Sequence, residues 1–141
     1  MTTSFFVPGR LPSMNDMIAA AKGFGGRGYG YSKLKKQWTD TVALLARSSR
    51  LTPVQRARFV FEWHEAKPSR SCKARDPDNV AAGGRKVVLD GLVQAGVLPN
   101  DTAKEVAGWT DTFSVGGACG VKVTLEPEEA IWPTSQTIST I

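Results

Sequence analysis

Apolar and polar residues alternate along two stretches of the chain and recur at helical spacing along two others. From Arg58 to His64, Phe59, Phe61 and Trp63 fall on one side of an extended backbone, and Arg58, Val60, Glu62 and His64 on the other. A period of two marks a strand buried on one face. Gly120 to Leu125 repeats the pattern, with Val121, Val123 and Leu125 inward against Lys122 and Thr124. Ser4 to Val7 reads as a short apolar strand and Glu105 to Phe113 as another. Ser114-Val115-Gly116-Gly117 has the chemistry of a turn and predicts a hairpin between the last two strands. Leu34, Trp38, Val42 and Leu45 define a helix beginning at Ser32, with Lys33, Lys35, Lys36 and Arg47 mainly off its apolar stripe. A second helix, capped by Asn79 and carrying Val88, Leu89, Leu92 and Val93, stops at Ala95-Gly96.

Strand, helix, strand, helix, strand, strand is the order of an α+β fold, a two-layer domain in which a mixed β-sheet packs against helices. Residues 1–126 are expected to form this domain. Residues 127–141, with two prolines and several Ser and Thr, are expected to be a loosely held tail. Trp38, Trp63 and Trp109 are expected in the core.

With 141 residues the chain can bury a core without a disulfide or structural metal. Its two cysteines, Cys72 and Cys119, form no spaced metal motif, and no apolar N-terminal run suggests a leader or membrane span. The expectation is a cytoplasmic protein with free thiols and no membrane partner. The single histidine, His64, argues against a Ser-His-Asp site or a histidine-based zinc site. A net charge of +5 suits a polyanionic partner without requiring one.

The candidate chemistry lies in Arg75-Asp76-Pro77-Asp78-Asn79 and in Asp101 beyond the second helix. Pro77 holds Asp76 extended, so the carboxylates of Asp76 and Asp78, two residues apart, project from one side of the backbone. Such close carboxylates repel each other unless a cation lies between them. Hard oxygen ligands favour magnesium, with manganese as a substitute.

Together with Lys86-x-x-x-Asp90-x-Leu-x-x-Ala-Gly-Val, Asn100-Asp101 and the N-terminal Leu11-Pro12-Ser13-Met14-Asn15, this string resembles the RusA family of Holliday junction resolvases over roughly Phe5 to Leu125. The resemblance implies a magnesium-dependent endodeoxyribonuclease that resolves four-way DNA junctions by paired nicks, works as a homodimer, and belongs to a bacterial cell or its phage. Asp76, Asp78 and Asp101 fall on the family's catalytic, metal-holding acids and Lys86 on its active-site lysine. Lys86, however, follows Asp78 by eight residues, as though Ala81-Ala82-Gly83-Gly84 were inserted. In an unbroken helix the insertion adds about 400° of rotation and about 6 Å of rise. Asn100 stands where the family usually has a first Asp.

Arg75 is read as an ion-pair partner or a phosphate contact, and Arg85 as a solvated base or a DNA contact. The glycine-rich run Gly23–Tyr31 lacks the ending of a nucleotide-cradling loop, but Arg27 suits phosphates, and Tyr29 and Tyr31 suit stacking on unpaired bases. Asp90 reads as structural or as a support for the site. The rival reading is a non-catalytic module that binds branched DNA and uses its acids only as caps. A two-carboxylate glycosidase fits poorly, because Asp76 and Asp78 are too close in sequence to straddle a sugar.

Overall fold

The computed structural model describes residues 2–22 and 29–129. Its elements are β1 (Thr3–Pro8), α1 (Met14–Lys22), α2 (Tyr29–Ser48), β2 (Ala57–Glu65), α3 (Pro77–Gln94), β3 (Val106–Val115) and β4 (Gly120–Pro127). The strands form one mixed sheet in the order β1-β4-β2-β3. β4 is antiparallel to both β1 and β2, whereas β2 and β3 are parallel. The α+β architecture matches the pattern in the sequence.

The period-two stretches form the centre of the sheet. Val121, Val123 and Leu125 of β4 and Phe59, Phe61 and Trp63 of β2 are buried, together with Phe5 and Val7 of β1. The helices cover this face and add Met17, Val42, Ala46, Val80, Val87, Val88 and Leu92 to a single core. The opposite face is wet and polar, with Lys122 4.0 Å from Glu62 and His64 Nδ1 2.9 Å from the Ser114 hydroxyl. No described helix is long and apolar enough to cross a membrane.

The sheet departs from expectation at β3 and β4, which do not form a hairpin, because β2 lies between them. Parallel β2 and β3 need a long crossover, which α3 provides, while the buried alternation of β4 suits a strand flanked on both sides. β3 is left at the edge, where Trp109 is 47% exposed instead of buried in the core. Trp38 packs against the core part-buried, and Trp63 lies within it. Helix α1 has no counterpart in the sequence expectation. Its start is a reciprocal capping box in which the Ser13 hydroxyl accepts from the Asp16 N–H at 3.1 Å and the Asp16 carboxylate from the Ser13 N–H at 2.9 Å. The Ser-x-x-Asp spacing was a readable signal for it. At the other end, β4 runs to Pro127 and Glu128 is held by a backbone bond to Arg56 and an ion pair with Arg58. Most of the expected tail lies outside the described residues.

Helix α3 is continuous through the four additional residues. Gly83 faces the backbone of Pro12, Ser13 and Met14; Gly84 faces the Trp63 ring; Gly91 faces Val42 and the Thr39 carbonyl. A Cβ on Gly83 would come within 2.4 Å of the Pro12 carbonyl oxygen, a contact that backbone cannot relieve cheaply. Although Gly→Ala favours an exposed helix by about 1 kcal/mol, Gly83→Ala is expected to destabilise this fold by about 1–3 kcal/mol through overpacking. Denaturant unfolding at neutral pH measures the change, and a stabilised variant would contradict the close approach.

Candidate active site

Asp76 and Asp78 sit at the N-terminus of α3. Asp76 is the N-cap in place of the expected Asn79. Its backbone is extended, its Oδ1 accepts from the Asp78 N–H at 3.0 Å, and Pro77 opens the helix. A missing N–H costs nothing at this position. Both carboxylates are exposed at the N-terminal end of the helix.

Arg75 anchors this end of α3. Its guanidinium forms two 2.8 Å bonds to the Glu65 carboxylate at the end of β2 and donates to the Leu11 carbonyl at 2.5 Å, with Asp16 at 3.6 Å. Burial works against its charge, but the hydrogen bonds and charge of Glu65, with Asp16 adding, raise its pKa. Because its side chain is only 10% exposed, Arg75 takes the ion-pair role, with Glu65 and Asp16 as partners. It joins β2, the Leu11–Asn15 segment and α1 to the residue before Asp76.

Arg85 is similarly engaged, pairing with Asp111 of β3 at 2.5 Å and stacking 4.7 Å above the Trp109 ring. Asp111 also accepts the Trp63 indole N–H at 2.9 Å. These contacts bind α3 to the edge strand and hold the Arg85 side chain largely buried instead of on a solvated helix face.

Lys86 lies on exposed helix surface with its ammonium 3.8 Å from Asp90. Since α3 is unbroken, eight residues separate Lys86 from Asp78 by about 12 Å along the axis. Asp90 lies another turn on, where Lys35 of α2 approaches it at 3.2 Å. Asp101 shares a groove with Asp90, Lys35 and Thr39. Among the described residues, no three acidic, histidine or cysteine side chains gather in a metal-holding cluster. Within one chain, therefore, Asp76 and Asp78 mark one end of α3, and Asp101 joins Asp90 toward the other. Two exposed carboxylates at the first end fit a hard cation; the third expected ligand is not supplied there by the same chain.

Of the expected DNA contacts, Tyr31 lines the Asp90–Asp101 groove and packs partly against the core. Tyr29 opens α2, and Arg27 lies outside the described residues. Lys35 and Thr39 were not singled out by sequence. Lys35 stood out only as a base off the apolar stripe of its helix, and only the packing of α2 on α3 brings it to Asp90. Asp90 chiefly, with Tyr31 and Asp101 adding, holds the Lys35 pKa above its usual value against the opposing effect of burial.

Compared with known proteins, the chain matches no protein-family model and no curated protein sequence. Its chemistry is therefore read from its own residues.

The turn carrying Asp101 is closed by Glu105, whose carboxylate accepts from the Thr102 hydroxyl at 2.5 Å and the Thr102 N–H at 3.1 Å. The hydroxyl bond, more than the backbone bond, holds the Glu105 carboxyl below its ordinary pKa. A carboxyl lowered by folding contributes stability above its unfolded pKa, and that contribution disappears as pH falls through the folded value. Glu105→Gln is therefore expected to be less stable than the parent at pH 7. The difference should shrink below the usual carboxylate value of about 4.3. Denaturant unfolding across this range checks it, and a pH-independent difference would refute it.

Proposed function

We propose that this protein is a magnesium-dependent, structure-selective endodeoxyribonuclease resembling the RusA resolvases, acting as a homodimer that cuts four-way DNA junctions by paired nicks in a bacterial or phage setting. The observation that carries this reading is the exposed Asp76-Pro77-Asp78 pair, held at the start of α3 by the Arg75 network. Among the described residues neither carboxylate is consumed by an ion pair with a lysine or arginine, and Asp76 accepts its capping bond on one oxygen.

The separation of the acids along α3 bears on the dimer. A two-fold pair of chains can set the start of one α3 beside the far end of the other. Asp76 and Asp78 of one copy and the partner's Asp101 would then hold the ion. Magnesium, or manganese in its place, would supply charge for the phosphate oxygens and an activated water. Asp76 and Asp78 orient the cation side of the site, Arg75 fixes the loop that precedes them, and the exposed Lys86 contributes positive charge for the DNA.

The cap formed by Asp76 favours a second reading, in which the acids are structural and the chain only binds branched DNA. Metal dependence separates the two readings, because a binding module requires no cation.

Asp78→Asn is expected to keep the fold and junction affinity while lowering nicking in magnesium by orders of magnitude. Undiminished nicking would overturn the site assignment. Asp78→Asn and Asp101→Asn chains, each inactive alone, should regain about a quarter of parental nicking when mixed and allowed to exchange subunits, because half of the dimers carry one intact shared site. No recovery from demonstrably mixed dimers would place all three acids in one chain's site and refute the shared arrangement.

A further inference from the structure

The groove between the first half of α2 and the last turns of α3 has a volume of about 570 Å³, within the about 300–1,000 Å³ range of small-molecule sites. Its walls carry charges of both signs. Ser32, Lys35, Lys36 and Asp40 line the α2 side, where Lys36 pairs with Asp40 at 2.9 Å, while Asp90 and Asp101 line the other. Thr39, 8% exposed, buries a hydroxyl with no partner among the described residues, and beside it Asp90 Oδ2 is ion-paired with Lys35 at 3.2 Å and Lys86 at 3.8 Å. Buried polar atoms are ordinarily satisfied, so the Thr39 hydroxyl points to a ligand that completes it.

The two walls restrict that ligand. A simple anion suits the lysines but is repelled by the carboxylates, and a simple cation meets the reverse conflict at Lys35. A nucleotide carries both required features: an anionic phosphodiester and, when unpaired, base N–H donors that a carboxylate accepts. In duplex DNA the pairing edges are occupied. We propose that this groove takes one unpaired nucleotide of a DNA strand, with its phosphate against Lys35 and the donor edge of its base against Asp90. Lys35 leaves Asp90 for the phosphate, the base N–H replaces it on Oδ2, and Lys86 remains beside the carboxylate. Thr39 bonds the sugar or phosphate, and the strand continues past Asp101 at the rim. The inference deepens the nuclease reading and rests on it in taking DNA as the ligand.

Binding of a short labelled single strand, and of the same strand annealed to its complement, is measured with the full chain in EDTA so that no cutting occurs. The parent is expected to prefer the single strand at matched salt. Lys35→Ala should weaken that binding about tenfold and flatten the logarithmic salt dependence by about one unit. Thr39→Val keeps the side-chain shape, removes a hydroxyl that has no partner among the described residues, and should weaken binding about threefold. Lys122→Ala, on the opposite sheet face, should bind as the parent does. A parent preference for duplex, or parental affinity in both Lys35→Ala and Thr39→Val, overturns the proposal. Parental cleavage of a four-way junction in magnesium is read separately. Cleavage with unchanged binding by both variants refutes the groove alone; selective binding without cleavage supports the groove while overturning the nuclease reading.

Discussion

Helix α3 lies closer to its neighbours than side chains normally permit, and the rest of the structure depends on that approach. Gly83 sits on the backbone of the Pro12–Met14 segment, Gly84 on the Trp63 ring and Gly91 against α2. Each glycine weakens the isolated helix. The burial of Val80, Val87, Val88 and Leu92 that the close approach allows offsets this weakness. An unbroken α3 then acts as a rigid spacer. It fixes Asp76 and Asp78 at one end, carries Lys86 and Asp90 toward the other, and crosses from β2 to its parallel neighbour β3.

Charge pairing follows the same geometry. The guanidinium groups of Arg75 and Arg85 enter partly buried, hydrogen-bonded pairs with Glu65 and Asp111, where the planar fork of arginine is matched on both prongs or supported by an aromatic face. One pair fixes the loop before Asp76 and the other fixes α3 to the edge strand. Lys35 and Lys86 instead place point charges beside Asp90. Arg75 and Arg85, on either side of the acidic pair, are held in these contacts, while exposed positive charge lies on Lys33 and Lys36 of α2, on Lys86 of α3 and on Lys67, Arg70 and Lys73 before the acidic string.

Several features were legible in the chain because they depend on near neighbours. The alternation in Arg58–His64 and Gly120–Leu125 required one buried sheet face, and the structure buries that face. Ala95-Gly96 stops α3 with Gly96 in the left-handed region at φ 80°. Pro77 imposed the extended backbone of Asp76. The Ser13–Asp16 capping box was equally local, and it marked a helix that hydrophobic periodicity alone did not reveal.

What the sequence alone determined was the class of fold, its buried strand face, the C-terminal stop of α3 and the presence of an acidic pair beside the start of that helix, all consequences of period, capping and backbone restriction over a few residues. Only the tertiary structure decided that β2 separates β3 from β4, that Trp109 stays at an exposed edge, and that Arg75 and Arg85 are already paired. It also decided that Asp101 lies with Asp90, Lys35 and Thr39 in one groove. The physical reason is that partners 10 to 60 residues apart in sequence, such as Glu65 with Arg75 or Lys35 with Asp90, are chosen by which faces pack. That choice depends on summed burial across the whole core, which no local pattern encodes.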